Sequence, residues 1–423
     1  MSFEVREGSL IRYSGDEEEV VIPEGITAIG KKAFAGARHM RNIHLPDSLK
    51  HIGESAFSEC KSLNSVRIPK SVLNIGKFAF YRCKSLKIAE LPETLTELND
   101  GLFCECEMLK EIRIPESVTR IGEHCFCRCH SLKSITVPDA VTEICDYALQ
   151  GCWGLETLSL GSNIERMGVR AFSSCAKLKS FTVPAGVTKL EDSLFSGCRC
   201  LKEIILPEGL KSIGAGAFAD CSALQNICIP ESAETLGDKA FWRCKSLTEI
   251  TIPAAVRLIG EEAFLECSAL ERMQVKQGNP FYDSRENCNA IFHTAANTLK
   301  AGCRNSKIPE SAAAVGDCAF FGCTGLRRAV ISNRVTSIGC HSFGNCSELE
   351  ELSLGTGLKK IQSGAFARCT KLRSVVLPEG LEEIEAWAFE YCRNLEPVRI
   401  PASVNYIGNR AFAGCSFSLS ENN

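Results

Sequence analysis

Cysteine is the residue through which this sequence could do chemistry, since 25 of its 423 positions carry a thiol. The densest group is EHCFCRCHSL, which places His124, Cys125, Cys127, Cys129 and His130 within seven residues. Two imidazoles and three thiols form a ligand set suited to zinc, and a thiol near an imidazole is the start of a nucleophile. Both chemistries require side chains that converge on one point. Spacing therefore decides.

The spacing is strict. From Pro23, a step of 23 residues returns Pro46, Pro69, Pro92, Pro115, Pro138, Gly161, Pro184, Pro207, Pro230 and Pro253. After one irregular stretch the frame resumes at Pro309, Ser332, Gly355, Pro378 and Pro401. Each unit reads P-x-x-V-x-x-I-G-x-x-A-F-x-x-C-x-x-L-x-x-I-x-I, as in LPEGLKSIGAGAFADCSALQNICI at 206–229. A period of this length is the signature of a solenoid whose units bury a face against one another. L-x-x-I-x-I alternates as a half-buried strand does, and proline ends it because it cannot donate to a continuing ladder. V-x-x-I-G reads as a second short extended piece closed by a glycine turn. A-F-x-x-C has helical spacing, with Ala and Phe (Phe218, for example) directed inward.

The frame sorts the thiols. Fifteen fall in one slot: Cys60, Cys83, Cys106, Cys129, Cys152, Cys175, Cys198, Cys221, Cys244, Cys267, Cys323, Cys346, Cys369, Cys392 and Cys415. Equivalent side chains on rungs ~4.8 Å apart point the same way, whereas a disulfide needs convergent Cβ vectors. The expectation is a column of buried free thiols, which suits a reducing or anaerobic setting. In the dense group, Cys125 and Cys129 point inward while His124 and Cys127 point outward, which disperses a metal site. Cys104 and Cys127 share one outward slot on adjacent rungs. A surface disulfide there is conceivable, two exposed thiols being the plainer reading. Cys288 and Cys303 flank the irregular stretch and invite the same question.

The repeated Pro, Val, Ile-Gly, Ala-Phe and Cys slots resemble the BspA-like, treponemal-type leucine-rich repeat family across roughly residues 20–416. The opening FEVREGSLIRYSGDEEEVVIPEGITAIGKKAF is also similar to that family's entry segment. The resemblance implies a right-handed horseshoe with its longer parallel strands on the concave face and short helical turns outside. It further implies protein binding, often at the surface of host-associated microbes, and carries no catalytic residues. The expected organisation is a capping segment over 1–22, eleven repeats over 23–275, a β-hairpin insertion over 276–308, five repeats over 309–417 and a tail over 418–423. The insertion's strand-like pieces are NAIFHT and NTLKAGC.

Composition removes other classes. A net charge of −3 gives no field for nucleic acid or an anionic membrane. The Lys87, Lys110, Lys133, Lys179 and Lys202 edge lacks the interleaved aromatics that single strands stack on. No apolar run of 18 residues suits a membrane span. No H-E-x-x-H, G-x-S-x-G or Walker motif occurs, and the seven histidines are scattered. The chain reads as a non-catalytic binding scaffold without cofactor or metal, engaged in surface adhesion or host contact, the alternative being an intracellular scaffold. MSFEVREGSL is no signal peptide; the location is cytoplasmic as written, and surface or secreted if a leader was removed.

Candidate contact residues are the hydroxyls between the buried strand positions, Ser134, Thr136, Thr157, Ser159, Ser180 and Thr182, with Phe281 and Tyr282 of the insertion. After the last frame only SFSLSENN follows, with Phe417 near the usual Leu slot. An end without a polar cap predicts self-association through residues 378–423, fraying there, or continuation into downstream chain.

Overall fold

The computed structural model describes residues 3–417, so the expected 418–423 tail lies outside the described residues. The chain divides into two compact units, 1–221 and 222–423. Each is a β-solenoid of stacked parallel strands, because the 23-residue period brings identical slots into register.

In the first unit, Phe3–Arg6 and Ser9–Tyr13 form an antiparallel pair, and Ser9–Tyr13 then pairs in parallel with Ala28–Ile29. That opening strand starts a column of two-residue strands built from the V-x-x-I segments. Glu97–Leu98, Arg120–Ile121, Glu143–Ile144 and Arg166–Met167 continue it, each shifted by one period. The L-x-x-I-x-I segments form a second column, for example Ser65–Arg67 beside Ile88–Glu90. Where the frame residue is proline, it closes the strand without forfeiting a ladder bond.

The A-F-x-x-C segment, whose spacing predicts a helical turn, is not helical. Among the described residues the only helical element is the 3-10 turn Arg285–Asn287. Instead the backbone alternates. In one rung the Ala56, Ser58 and Cys60 N–H groups donate three residues back, to Gly53, Ser55 and Phe57. Between them the Ser55, Phe57 and Glu59 N–H groups donate to Lys77, Ala79 and Tyr81 of the next rung, at 2.7 to 2.9 Å. The ninth and thirteenth residues after each frame position adopt positive φ, here Ser55 at 54° and Glu59 at 60°. Left-handed residues at that interval prevent a helix and aim half the donors along the stack.

Phenylalanine fills the space between the two strand columns. The rings of Phe34, Phe57, Phe80, Phe103 and Phe126 stack at centroid spacings of 5.1 to 5.8 Å. Tyr13 caps that column 5.0 Å from Phe34, which ties the opening strand to the core. In the second unit Phe320, Phe343, Phe366, Phe389 and Phe412 stack likewise, at 4.9 to 5.2 Å. Outside, same-slot charges pair across rungs, as Lys77 does with Asp100 at 2.7 Å. Such exposed pairs are worth little each.

The irregular stretch lies within the second unit. Ala290–His293 and Thr298–Gly302 form an antiparallel hairpin, with Tyr282–Asp283 along its outer edge. Thr298–Leu299 then pairs in parallel with Ala314–Val315 and restarts the short-strand column that runs on to Tyr406–Ile407.

Candidate contact face and thiol sites

The thiol column is built by the turn geometry. Each Phe carbonyl has two lone pairs. Phe57 O accepts the Cys60 N–H of its own rung at 3.3 Å and the Cys83 thiol of the next at 3.1 Å. The same thiol-to-carbonyl bond joins Cys60, Cys106, Cys198, Cys267, Cys369 and Cys392 to the preceding rung's Phe at 3.1 to 3.2 Å. Burial pushes the Cys198 and Cys267 thiols up to about 12, so they stay protonated and remain donors. These sulfurs are structural donors, and protonated thiols are poor nucleophiles and ligands.

The dense group does not assemble into one site. Cys125 and Cys129 are wholly buried. His124 stacks on Tyr147 at 4.7 Å and His130 on Trp153 at 4.1 Å, which holds the two imidazoles apart. Among the described residues no three His, Cys, Asp or Glu side chains are placed to share a metal ion.

Cys104 and Cys127 depart from expectation. Both are buried, 8% and 5% exposed, rather than lying open on the surface. Their slot runs along the contact between successive rungs, and at these two positions, as at Ser173 and Ala219, the neighbours cover the side chain. Both are free thiols, and the Cys127 thiol donates to the Gln150 side-chain carbonyl at 3.9 Å. The neighbouring Cys104, helped by His124 and Arg128, holds the Cys127 thiol below the ordinary thiol value, while Cys104 is pushed up. Cys288 and Cys303 are buried free thiols as well, donating to the Ala290 and Asn289 carbonyls at 3.7 and 3.6 Å. The exposed thiols are instead Cys200 and Cys228.

Mass mapping after brief alkylation therefore finds Cys200 and Cys228 modified first, not Cys104, Cys127 or the insertion. Cys127 reacts more slowly but reaches its half-maximal rate at a pH below the ordinary thiol range, because the thiolate is the nucleophile. Cys104→Ala removes the neighbouring thiol and moves that midpoint upward. A Cys127 profile unaffected by Cys104→Ala contradicts this assignment.

Four of the six strand-face hydroxyls come together in one ladder. Ser134–Thr136 pairs in parallel with Thr157–Ser159, which sets Ser134 beside Thr157 and Thr136 beside Ser159. Ser180–Thr182 pairs onward with Glu203–Ile205. All six hydroxyl residues are exposed, and none makes a side-chain hydrogen bond among the described residues. Ile205, 64% exposed, continues the face on one side. On the other, Arg67 and Glu90 pair at 3.2 Å.

Phe281 and Tyr282 belong to the other unit and part company. Phe281 is 41% exposed. Tyr282 is 3% exposed and is no contact residue: its hydroxyl accepts the Ile259 N–H at 3.0 Å. In a regular rung that N–H faces the next short strand. Here the insertion follows, and the tyrosine hydroxyl takes the strand's place.

The comparisons with known proteins agree with this architecture. Residues 12–132, 96–208, 188–288 and 297–418 match the model of a BspA type leucine rich repeat region in six copies. No curated protein matches the chain at a significant level. Among crystal structures, a leucine-rich repeat protein from Bacteroides ovatus is 26% identical over 98% of this chain and 90% of its own, with a TM-score of 0.56. A structure described as a leucine rich cell surface protein, from Faecalibacterium prausnitzii, is 26% identical over 98% and 90%, with a TM-score of 0.49.

Proposed function

The chain belongs to the BspA-type leucine-rich repeat family, and from that premise we propose that it is a protein-binding scaffold whose first unit engages its partner through the hydroxyl strands. One observation carries this reading. Six exposed hydroxyls, Ser134, Thr136, Thr157, Ser159, Ser180 and Thr182, stand on paired strands and make no side-chain hydrogen bond among the described residues. Each is a donor and acceptor already fixed in place, so binding costs little ordering. The partner is a protein offering a polar, extended surface, and adhesion or host contact at a cell surface is the finer reading.

The thiols support the alternative of an intracellular scaffold, because 25 free cysteines fit a reducing compartment. A membrane-impermeant maleimide separates the two. On intact producing cells it labels Cys200 and Cys228 if the protein is displayed, and leaves both untouched if it is internal.

The face itself is tested by Thr136→Arg combined with Ser159→Arg, which adds bulk and charge at exposed positions without touching the core. Partner capture falls at least about tenfold, the loss expected when two central contacts clash, with the melting temperature unchanged. Equal capture by the variant and the native chain sinks the hydroxyl face as the contact surface.

A further inference from the structure

Where the insertion returns to the repeat, the aliphatic filling of the strand column fails at two adjacent inward positions. Regular rungs end L-x-x-I-x-I-P, as LKEIILP does at 201–207, whereas residues 303–309 read CRNSKIP. Ser306 thus occupies an inward Ile slot, and in the next rung Ala329 occupies the same slot. Ser306 cannot fill the space, because its hydroxyl is tied to the Cys303 N–H and the Asn289 carbonyl. A groove of about 570 Å³ opens there, with Ala329 and Leu326 at its floor and Ile308 and the 45%-exposed Val330 at its edge.

The rim is basic. Arg304, Lys307, Arg327 and Arg328 line it against the single carboxylate of Glu310. Arg304 pairs with Glu271, and Arg328 with Glu351 at 3.3 Å, both of that pair being largely exposed. Lys307 and Arg327 are exposed and make no ion pair among the described residues. These two cations without an ion pair, set beside an apolar recess, favour an acidic ligand.

We propose that this groove binds an extended segment of a partner protein that seats one large apolar side chain, Phe or Leu, over Ala329 and sets carboxylates against Lys307 and Arg327. The recess takes a single anchor in the manner of interface hot spots, and the open cations select its flanks. A single-stranded nucleic acid would bring matching charge, but no exposed aromatic lines the groove to stack its bases. The site shares no residue with the hydroxyl strands and rests on the protein-binding reading only in taking a polypeptide ligand.

Fluorescence anisotropy of the full chain with a labelled decapeptide, Phe at its centre and Asp and Glu around it, tests the proposal. This probe binds at least about tenfold tighter than the same peptide with central Ala or with Lys flanks, as loss of an anchor or of charge complementarity requires. Ala329→Ile restores the repeat's own residue, fills the recess and weakens the probe at least tenfold, while the melting temperature holds or rises. Arg327→Glu, at an exposed position, weakens it with no change in melting and lowers its salt dependence. Thr136→Arg with Ser159→Arg leaves the probe affinity unchanged. An affinity insensitive to Ala329→Ile in a folded variant, equal binding of the Lys-flanked peptide, displacement of the probe by an oligothymidylate at lower concentration, or no binding at all overturns the groove. Those results leave the hydroxyl-face test standing, and failure of that test leaves the groove standing.

Discussion

Phe80→Ala lowers the stability of the first unit by about 3–5 kcal/mol, the range for removing a buried aromatic whose surroundings cannot close. Phe80 is fully buried, with Phe57 at 5.3 Å and Phe103 at 5.5 Å on its two faces. Backbone bonds between rungs fix the spacing of those neighbours, as Phe57 N–H to Ala79 O at 2.8 Å does, so the gap stays open. Phe80→Leu costs only about 1–1.5 kcal/mol, since a change that nearly conserves volume is tolerated best. The chain itself carries Leu149 in this slot, fully buried. Lys202→Ala, on the exposed edge, stays within about 0.5 kcal/mol. Urea unfolding of the three variants gives the order, and equal losses for Phe80→Ala and Lys202→Ala would place the core elsewhere.

Tyr282→Ala comes next, at about 3–5 kcal/mol by the same cavity argument. Tyr282→Phe separates the ring from the hydroxyl. It keeps the ring and strands the Ile259 N–H, at about 1–3 kcal/mol for a buried donor left unpaired. Asn279 seals the same rung by donating to the Pro253 and Val256 carbonyls, so the loss is local to the junction. Hydrogen exchange of the Ile259 amide reads it directly: fast exchange in Tyr282→Phe and slow exchange in the native chain. Slow exchange in both removes the hydroxyl from its capping role.

The stacked solenoid was legible because one slot pattern recurs in register, and a pattern that repeats across rungs leaves few architectures. The turn was not, since Ala33, Phe34 and Ala37 stand at intervals that serve a helix and a pair of three-residue turns equally well. The distinguishing signal was an omission. Slots nine and thirteen hold Lys32, Ser55, Phe78, Glu59, Arg82 and their equivalents, and never Val, Ile, Thr or Pro. Branched side chains and proline are those least able to take positive φ. Exposure of single residues was read less well than direction. The hydroxyls lie on strands whose alternation fixes their outward face. Cys104 and Cys127 also point away from the Phe column, yet the adjoining rungs cover both side chains. Tyr282 looked like a loop aromatic; its burial follows from a donor on Ile259, which no local pattern reveals.

The forward-aimed donors of the turns have a mechanical consequence. Bonds such as Ser55 N–H to Lys77 O and Glu59 N–H to Tyr81 O lie along the direction in which rungs are stacked. A tension applied along that direction passes through the rungs in series, so each carries the same load and they give way one at a time instead of shearing together. Each release lengthens the chain by 23 residues, roughly 80 Å at about 3.3–3.6 Å per extended residue. A tethered unit would therefore yield in small, equal increments, acting as an extensible spring with a built-in step.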